Sequence, residues 1–483
     1  MPKIVLIEPR APNLHIFSMA SLPRLGLLLL GTIARERGWD VEIFFEERRA
    51  LDMDVLAAAD IVGVSTITAT APRAYAIADR VRTLGRPVIM GGPHVTFLAD
   101  EAMTHADFVL RGEAEESLPL FLETWQAGGD LTAVAGLSFR RGSDVVHNPP
   151  APLIRDLDTL PYPDFGLLDG HRMPKHRTRV IPVQTSRGCP FDCSFCSVTG
   201  MFGRRYRFRS TDHIIRELHR YNDKHNVIFF YDDNFAADRA RTRELLKAMI
   251  AQRFRFRWTT QVRADAARDP ELIHLMRRAG CMTVFIGFES VNPQSLEAMH
   301  KAQSVEGIRA AVRVFRRNRI KIHGMFVFGF DQDDAVSVRR TVRWAKHVGL
   351  MSTQFLILTP LPGSDFYEKV VRERRIRFTD WSLFDGHHAV HEPARLTLLS
   401  LQKAQIWGHR HFYSWTSQVR RLIHGRWMAL GIGYYARGLN RAWRKRNKTF
   451  MKALALMRPR REARVTVDYR QTVSLDGGMG PRA

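Results

Sequence analysis

Three of the chain's four cysteines fall within eight residues, in the run Cys189-Pro-Phe-Asp-Cys193-Ser-Phe-Cys196. Four cysteines in 483 residues cannot staple a fold, and three in one loop point to metal or redox chemistry in a reducing compartment. A four-iron cluster needs four ligands, and thiolates are its usual protein donors. Three cysteines therefore leave one iron open to a ligand from outside the protein. Zinc is the rival. Structural zinc takes a closed set of four ligands, often from two C-x-x-C pairs. Here there is no second pair, and the nearest histidines, His171 and His176, precede the strand leading into the loop. The fourth cysteine, Cys281, stands in Ala-Gly-Cys-Met-Thr at a helix-to-strand junction and reads as a small buried hydrophobe.

The loop directly follows a strand, the first of six over residues 176–385: Arg179–Thr185, Val227–Tyr231, Phe256–Val262, Thr283–Phe288, Ile322–Phe328 and Ser352–Leu358. Helical segments such as Glu306–Asn318 and Ala335–Val348 fill the gaps. Six strand–helix units predict an open, partial (β/α)6 barrel with its chemistry at the carboxyl ends of the strands. Ahead of it, residues 1–150 alternate strands (Lys3–Ile7, Val41–Phe45, Asp60–Thr66, Pro87–Met90, Asp107–Leu110) with helices (Leu22–Arg37, Ala71–Leu84, Glu115–Trp125). That alternation predicts a doubly wound parallel sheet, and such sheets bind ligands beyond the carboxyl ends of their strands. Ser65, Thr66, Gly91, Gly92 and Gly112 sit there. No G-x-G-x-x-G follows the first strand, which argues against an ordinary dinucleotide site. Gly136 to Asn148 reads as a hairpin turning at Arg141-Gly142, and the proline-rich residues 151–175 as a linker. Residues 386–465 form a helical basic region, and 466–483 a Gly-rich flexible tail.

The chain carries 73 Lys and Arg against 49 Asp and Glu, a formal charge of +24. No acidic residue lies between Glu392 and Glu462, an interval holding sixteen Lys and Arg. Aromatic and aliphatic residues interleave with these cations at 419–427 and 434–443. The composition suits the surface of an anionic bilayer, a helical cover over the barrel or, less well, RNA. No signal peptide and no run long enough to span a membrane is present, so the chain reads as cytoplasmic, with peripheral contact at the inner membrane face as the further expectation.

The C-x-x-x-C-x-x-C loop with an aromatic, Phe195, before its last cysteine resembles the radical S-adenosylmethionine (SAM) superfamily, as do Thr185-Ser-Arg-Gly-Cys189 and the six strand–helix units. The resemblance implies a 4Fe-4S cluster on Cys189, Cys193 and Cys196, with SAM on the open iron. An electron would cleave SAM to methionine and a hydrogen-abstracting 5′-deoxyadenosyl radical. It also implies cofactor contacts at the strand ends: Asp232 and Asp233 in Tyr231-Asp-Asp-Asn-Phe235, Arg263 in Gln261-Val-Arg263, and Glu289 and Ser290 in Gly287-Phe-Glu-Ser290. Thr359-Pro-Leu-Pro-Gly363 resembles a motif of the cobalamin-dependent branch.

The first segment resembles the cobalamin-binding domain that precedes many such barrels. The resemblance is carried by Pro23-Arg-Leu-Gly26, Val64-Ser65-Thr66, Gly91-Gly92-Pro-His94 and Arg111-Gly112-Glu113-Ala-Glu115. It implies cobalamin contacts from Ser65, Thr66, Gly91, Gly92, His94, Gly112 and Glu113. The D-x-H-x-x-G motif is absent: Asp169-Gly-His171 and Asp385-Gly-His387 lack its glycine and lie outside the domain. Cobalt would then have no histidine beneath it, unless His94 substitutes.

This architecture implies C-methylation of an unactivated carbon in a hydrophobic, lipid-like or tetrapyrrole substrate, with electrons from a flavodoxin or ferredoxin. The alternatives are oxidative cyclisation or rearrangement without methyl transfer, tRNA modification, and a non-catalytic corrinoid or cluster sensor.

Overall fold

In a computed structural model of the chain, residues 1–12, 22–168 and 179–457 are described. The expected histidines 171 and 176 and the tail 466–483 lie outside these residues.

The first sheet comprises β1 (Lys3–Glu8), β2 (Asp40–Phe45), β3 (Ile61–Ser65), β4 (Val88–Gly91), β5 (Phe108–Leu110), β6 (Leu137–Arg141) and β7 (Asp144–His147), in spatial order β2-β1-β3-β4-β5-β6-β7. The first five are parallel, and the expected hairpin β6–β7 adds an antiparallel edge. The 2-1-3-4-5 order is flavodoxin-like, with the direction of winding reversing beside β1 and β3. Strand alternation sends successive residues to opposite faces. Ile4 and Leu6 join Leu27, Leu28 and Phe121 on one face, while Val5 and Ile7 join Ala74, Ile77 and Val81 on the other.

The second large sheet adds β8 (Arg179–Val183), β11 (Asn226–Phe230), β12 (Arg257–Val262), β13 (Cys281–Glu289), β14 (Lys321–Phe328) and β15 (Ser352–Ile357). All six are parallel in the order β15-β14-β13-β12-β11-β8, so the barrel is open between β8 and β15. Buried Phe230, Trp258, Phe288, Phe326 and Phe355 pack the sheet against its helices, Phe288 and Phe326 on Trp344 and Phe355 on Phe412. Between β8 and β11 a two-stranded ribbon pairs β9 (Ser186–Arg187) antiparallel with β10 (Arg207–Phe208), an element with no periodicity long enough to expect.

The two sheets do not stand apart. Val64, Met90 and Val95 share one apolar cluster with Val327, Leu358, Phe366 and Trp381. The proline-rich stretch read as a linker is anchored across both, with Ile154 and Leu157 buried and the Ile154 N–H donating to Glu113 Oε2 at 2.8 Å. After the barrel, helix Leu398–Phe412 packs on helix Ala335–His347 and on β15, and helices Trp415–Ile423, Trp427–Arg446 and Lys448–Leu456 follow. No described helix is long and apolar enough to cross a membrane.

Candidate active site

The cysteine loop is tied down at both ends. Asp232, just beyond β11, is fully buried. Its carboxylate accepts the Thr185 and Ser186 N–H groups at 2.7 and 3.1 Å and the Thr185 hydroxyl. Arg241 donates to Thr185 as well. Burial pushes the Asp232 carboxyl up, opposed by Thr185 and Arg241. Asp232 is thus a scaffold for the residues ahead of Cys189, and its carboxylate is not open to a cofactor: a correction to the expectation for this position. Further on, Ser194 N–H donates to the Met299 carbonyl, and the Ser194 carbonyl accepts from Phe366 N–H at 2.8 Å. Phe195 meets Phe330 edge-on at 6.0 Å, so one face of its ring serves packing.

Cys189, Cys193 and Cys196 are free thiols and half-buried. They lie near enough to couple electrostatically, and burial pushes Cys189 up and Cys196 up to about 12. Such thiols ionise when a metal group takes the charge. Arg263 favours that: it is buried, with Nη1 3.7 Å from Cys193 Sγ and its guanidinium 3.7 Å over the Phe191 ring. Among the described residues no three His, Cys, Asp or Glu side chains gather round one point as a single ion needs. Cys281 is fully buried at the start of β13, as expected.

Between the two sheets a cavity of about 460 Å³ opens at the carboxyl ends of the strands. From the barrel side it is lined by Tyr231, Asp233, Gln261, Gln184 and Arg187, the last two residues standing just before the cysteines. Asp233 has free surface yet is enclosed by protein, because that surface faces the cavity rather than bulk water. Burial, with the neighbouring Asp232, raises its carboxyl to about 7. No hydrogen bond or ion pair engages it among the described residues, so it is the strand-end acid left free for a ligand cation.

Glu289 is held otherwise. It takes left-handed backbone (φ 60°) at the end of β13 and pairs with buried Lys301. Ser290 is buried, its Oγ accepting the Asn292 N–H at 3.0 Å. Neither lines the cavity.

From the first sheet, Ser65, Gly91, Gly92, Gly112 and Glu113 line the cavity, with Gly26 at the start of helix Leu25–Glu36. A Cβ on Gly26 or Gly112 would meet nothing within 4 Å, so the backbone there is open to a large ligand. Together with the apolar strand ends this fits a corrinoid, and no histidine is among the lining residues. Gly92 has a different reason. At φ 100° its Cβ would fall 2.6 Å from the Thr66 carbonyl oxygen, so close packing of two strand ends demands glycine. Thr66 itself is fully buried and outside the lining.

His94 corrects the sequence expectation. It is buried away from the cavity, 3.6 Å from Glu101 and 5.0 Å edge-on to Trp381, joining the first sheet to the residues after the barrel. Glu113 lines the cavity, yet its carboxylate is taken by Arg207 through two bonds of 2.7 Å and by Ile154 N–H, with Arg187 at 3.3 Å. Arg187 also donates to Glu115 at 2.5 Å. Arg187 and Glu115 lie within the motifs Thr185–Cys189 and Arg111–Glu115, whose pattern gives neither a role, and Lys301 carries no local signal in the sequence.

The family described as the radical SAM superfamily matches residues 183–345, and the B12 binding domain matches residues 20–122. An uncharacterized methyltransferase of Pyrococcus horikoshii is 31% identical, over 74% of this chain and 81% of its own. The bacteriochlorophyllide d C-12(1)-methyltransferase of Chlorobaculum tepidum is 29% identical over 87% of this chain and 89% of its own. The fold is shared with the radical SAM methyltransferase TsrM of Kitasatospora setae, solved with cobalamin and a [4Fe-4S] cluster. The TM-score is 0.64 at 19% identity, over 77% of this chain and 75% of that one.

Proposed function

We propose that this chain, which belongs to the cobalamin-dependent branch of the radical SAM superfamily, is a C-methyltransferase of hydrophobic small molecules, with a tetrapyrrole as the favoured substrate class. One observation carries the reading: the corrinoid-side residues Gly26, Ser65, Gly91 and Gly112 and the cluster-side residues Asp233 and Gln261 line the same cavity. A methyl group and a substrate radical would have to meet in one such space, since positioning within contact distance supplies much of the rate. The tetrapyrrole class is supported by the Chlorobaculum relative, which aligns over nearly its whole length.

When bound, the cluster supplies the electron that cleaves SAM and the corrinoid supplies the methyl group. The chain's own residues do the rest. Cys189, Cys193 and Cys196 would hold the cluster, and Arg263 would balance its negative charge. Asp233 would accept a hydrogen bond from the amino group of SAM, and the positive charge of the cofactor would draw its proton off. The Glu113–Arg207 and Glu115–Arg187 pairs clamp the corrinoid domain to the ribbon that flanks the cysteine loop. An external flavodoxin or ferredoxin is the proposed reductant.

The test is anaerobic turnover of corrinoid-loaded, reconstituted protein with SAM, a strong reductant and bacteriochlorophyllide d. Methyl transfer yields both 5′-deoxyadenosine and S-adenosylhomocysteine and a product one methylene heavier. Altered substrate with 5′-deoxyadenosine and no S-adenosylhomocysteine would replace the proposal with oxidative cyclisation or rearrangement.

A further inference from the structure

The end of the barrel away from the cysteines carries a second cavity. Lys321 opens β14, and Leu350 and Met351 immediately precede β15, so these residues mark the amino-terminal end of the parallel sheet. There a space of about 510 Å³ lies between the barrel and the helices Trp415–Ile423 and Trp427–Arg446. Five cations line it, Arg316, Arg319, Lys321, Arg421 and Arg426, and no acidic residue does. None of the five forms an ion pair with a carboxylate among the described residues. Arg316 donates to the Val348 carbonyl, Arg421 to the Ala429 carbonyl and Lys321 to the Met428 sulfur. Nη1 of Arg426 and Nη1 of Arg316 lie 3.5 and 3.7 Å from the point where a side chain on Gly349 would begin. Like charges gathered in one concavity repel, and an anion seated among them removes the repulsion.

The rim is apolar. Trp427 and Met428 line the cavity and are open to solvent, Trp427 by 67%. Ile423 is 76% exposed, and Trp415, Val419 and Leu422 on the same helix are exposed with it. A merely solvated basic face has no reason to present these side chains together. Aliphatic residues gain nothing from a nucleic acid backbone and cannot stack on bases as aromatics do. Acyl chains reward Ile, Val and Leu, the headgroup zone suits Trp, and anionic headgroups suit Arg and Lys.

We infer that this cavity and its rim form a docking site for an anionic phospholipid bilayer, with phosphate seated among Arg316, Arg319, Lys321 and Arg426 and with Ile423 and Trp427 in the acyl boundary. The protein would lie on the membrane with the cysteine-bearing end of its barrel turned away from it. The site is independent of which reaction the cysteine end performs.

The test is flotation of the full chain with phosphatidylcholine vesicles and with mixed phosphatidylglycerol–phosphatidylcholine vesicles. Binding is expected on the mixed vesicles alone, with the Trp fluorescence that Trp427→Phe removes shifting to the blue. Arg319→Gln, Lys321→Gln and Arg426→Gln each weaken binding about fivefold, and about a hundredfold together. Ile423→Ser weakens it at unchanged charge, and 5′-deoxyadenosine formation stays at the parent level in all of these variants, the triple variant included. Equal binding by the triple variant overturns the proposal. Complete release by soluble glycerol phosphate assigns the cavity to a free phosphate and overturns the bilayer. Retention of tRNA with no vesicle-bound fraction replaces it with a nucleic acid site.

Discussion

The guanidinium of Arg263, at the end of β12, lies 3.7 Å from the sulfur of Cys193, in a loop seventy residues earlier in the chain. Stacking on Phe191 and a bond to the Lys301 carbonyl hold it there. A fixed cation beside cluster thiolates stabilises the more negative, reduced state. Arg263→Gln is therefore expected to keep more than half of the iron while lowering the cluster potential by tens of millivolts and reducing the fraction of cluster reduced at a fixed reductant potential. Arg263→Lys recovers part of the shift. A potential equal to the parent's in Arg263→Gln would show that Arg263 only packs the loop.

Gly26 and His94 separate the corrinoid site from its surroundings. Gly26→Leu projects into open cavity without backbone strain and is expected to abolish corrinoid binding while leaving the iron content intact. His94→Gln is expected to keep one corrinoid per chain, and the cob(II)alamin spectrum to show no nitrogen coupling in either parent or variant. Nitrogen coupling lost in His94→Gln would return His94 to the cobalt.

Glu113 and Arg207 are both buried, with side-chain exposures of 1% and 5%. Glu113→Gln leaves Arg207 without its counter-charge, and losing one partner of a buried pair costs about 3 kcal/mol or more. The thermal midpoint should fall by several degrees and corrinoid loading should fall with it. A parent-like midpoint would mean that water reaches the pair and that it does not clamp the two sheets.

His391 is fully buried, its Nε2 3.2 Å from the Gly329 carbonyl, and burial pushes its pKa down to about 4 from 6.5. Below pH 6.5 the unfolded chain takes up a proton that the folded chain refuses, so this residue's contribution is present above 6.5 and lost as pH falls towards 4. The stability difference between parent and His391→Gln should therefore shrink by about 3 kcal/mol over that window. Urea midpoints of both proteins at pH 7, 5.5 and 4 measure it, and a constant difference would show that His391 protonates in the folded state.

Most of the architecture could be read directly from the chain. All six barrel strands and the five parallel strands of the first sheet stand within two residues of where periodicity and glycine stops put them. What escaped were short elements with no period: the ribbon β9–β10, and the helices Pro93–Phe97 and Ala99–Ala102. The first of those helices carries Phe97, whose ring packs against Gly363 where any side chain would collide with it, so the glycine of Thr359-Pro-Leu-Pro-Gly363 serves the joint between the sheets. Neither residue's own neighbourhood hints at the other.

The cysteine loop, the open iron position it implies and the two-sheet plan were determined by sequence alone, because spacing within a loop and periodicity within an element are local properties. Which strand-end acid is free was decided by tertiary structure. Asp232 and Asp233 are adjacent, but successive residues leaving a strand point to opposite sides. One was drawn into the Thr185 and Ser186 backbone, and the other was left facing the cavity. In the same way Glu289, Glu113 and His94 met Lys301, Arg207 and Glu101 only once the chain was folded. A charged side chain binds the nearest opposite charge in space, and that distance is set by packing between sheets rather than by position in the chain.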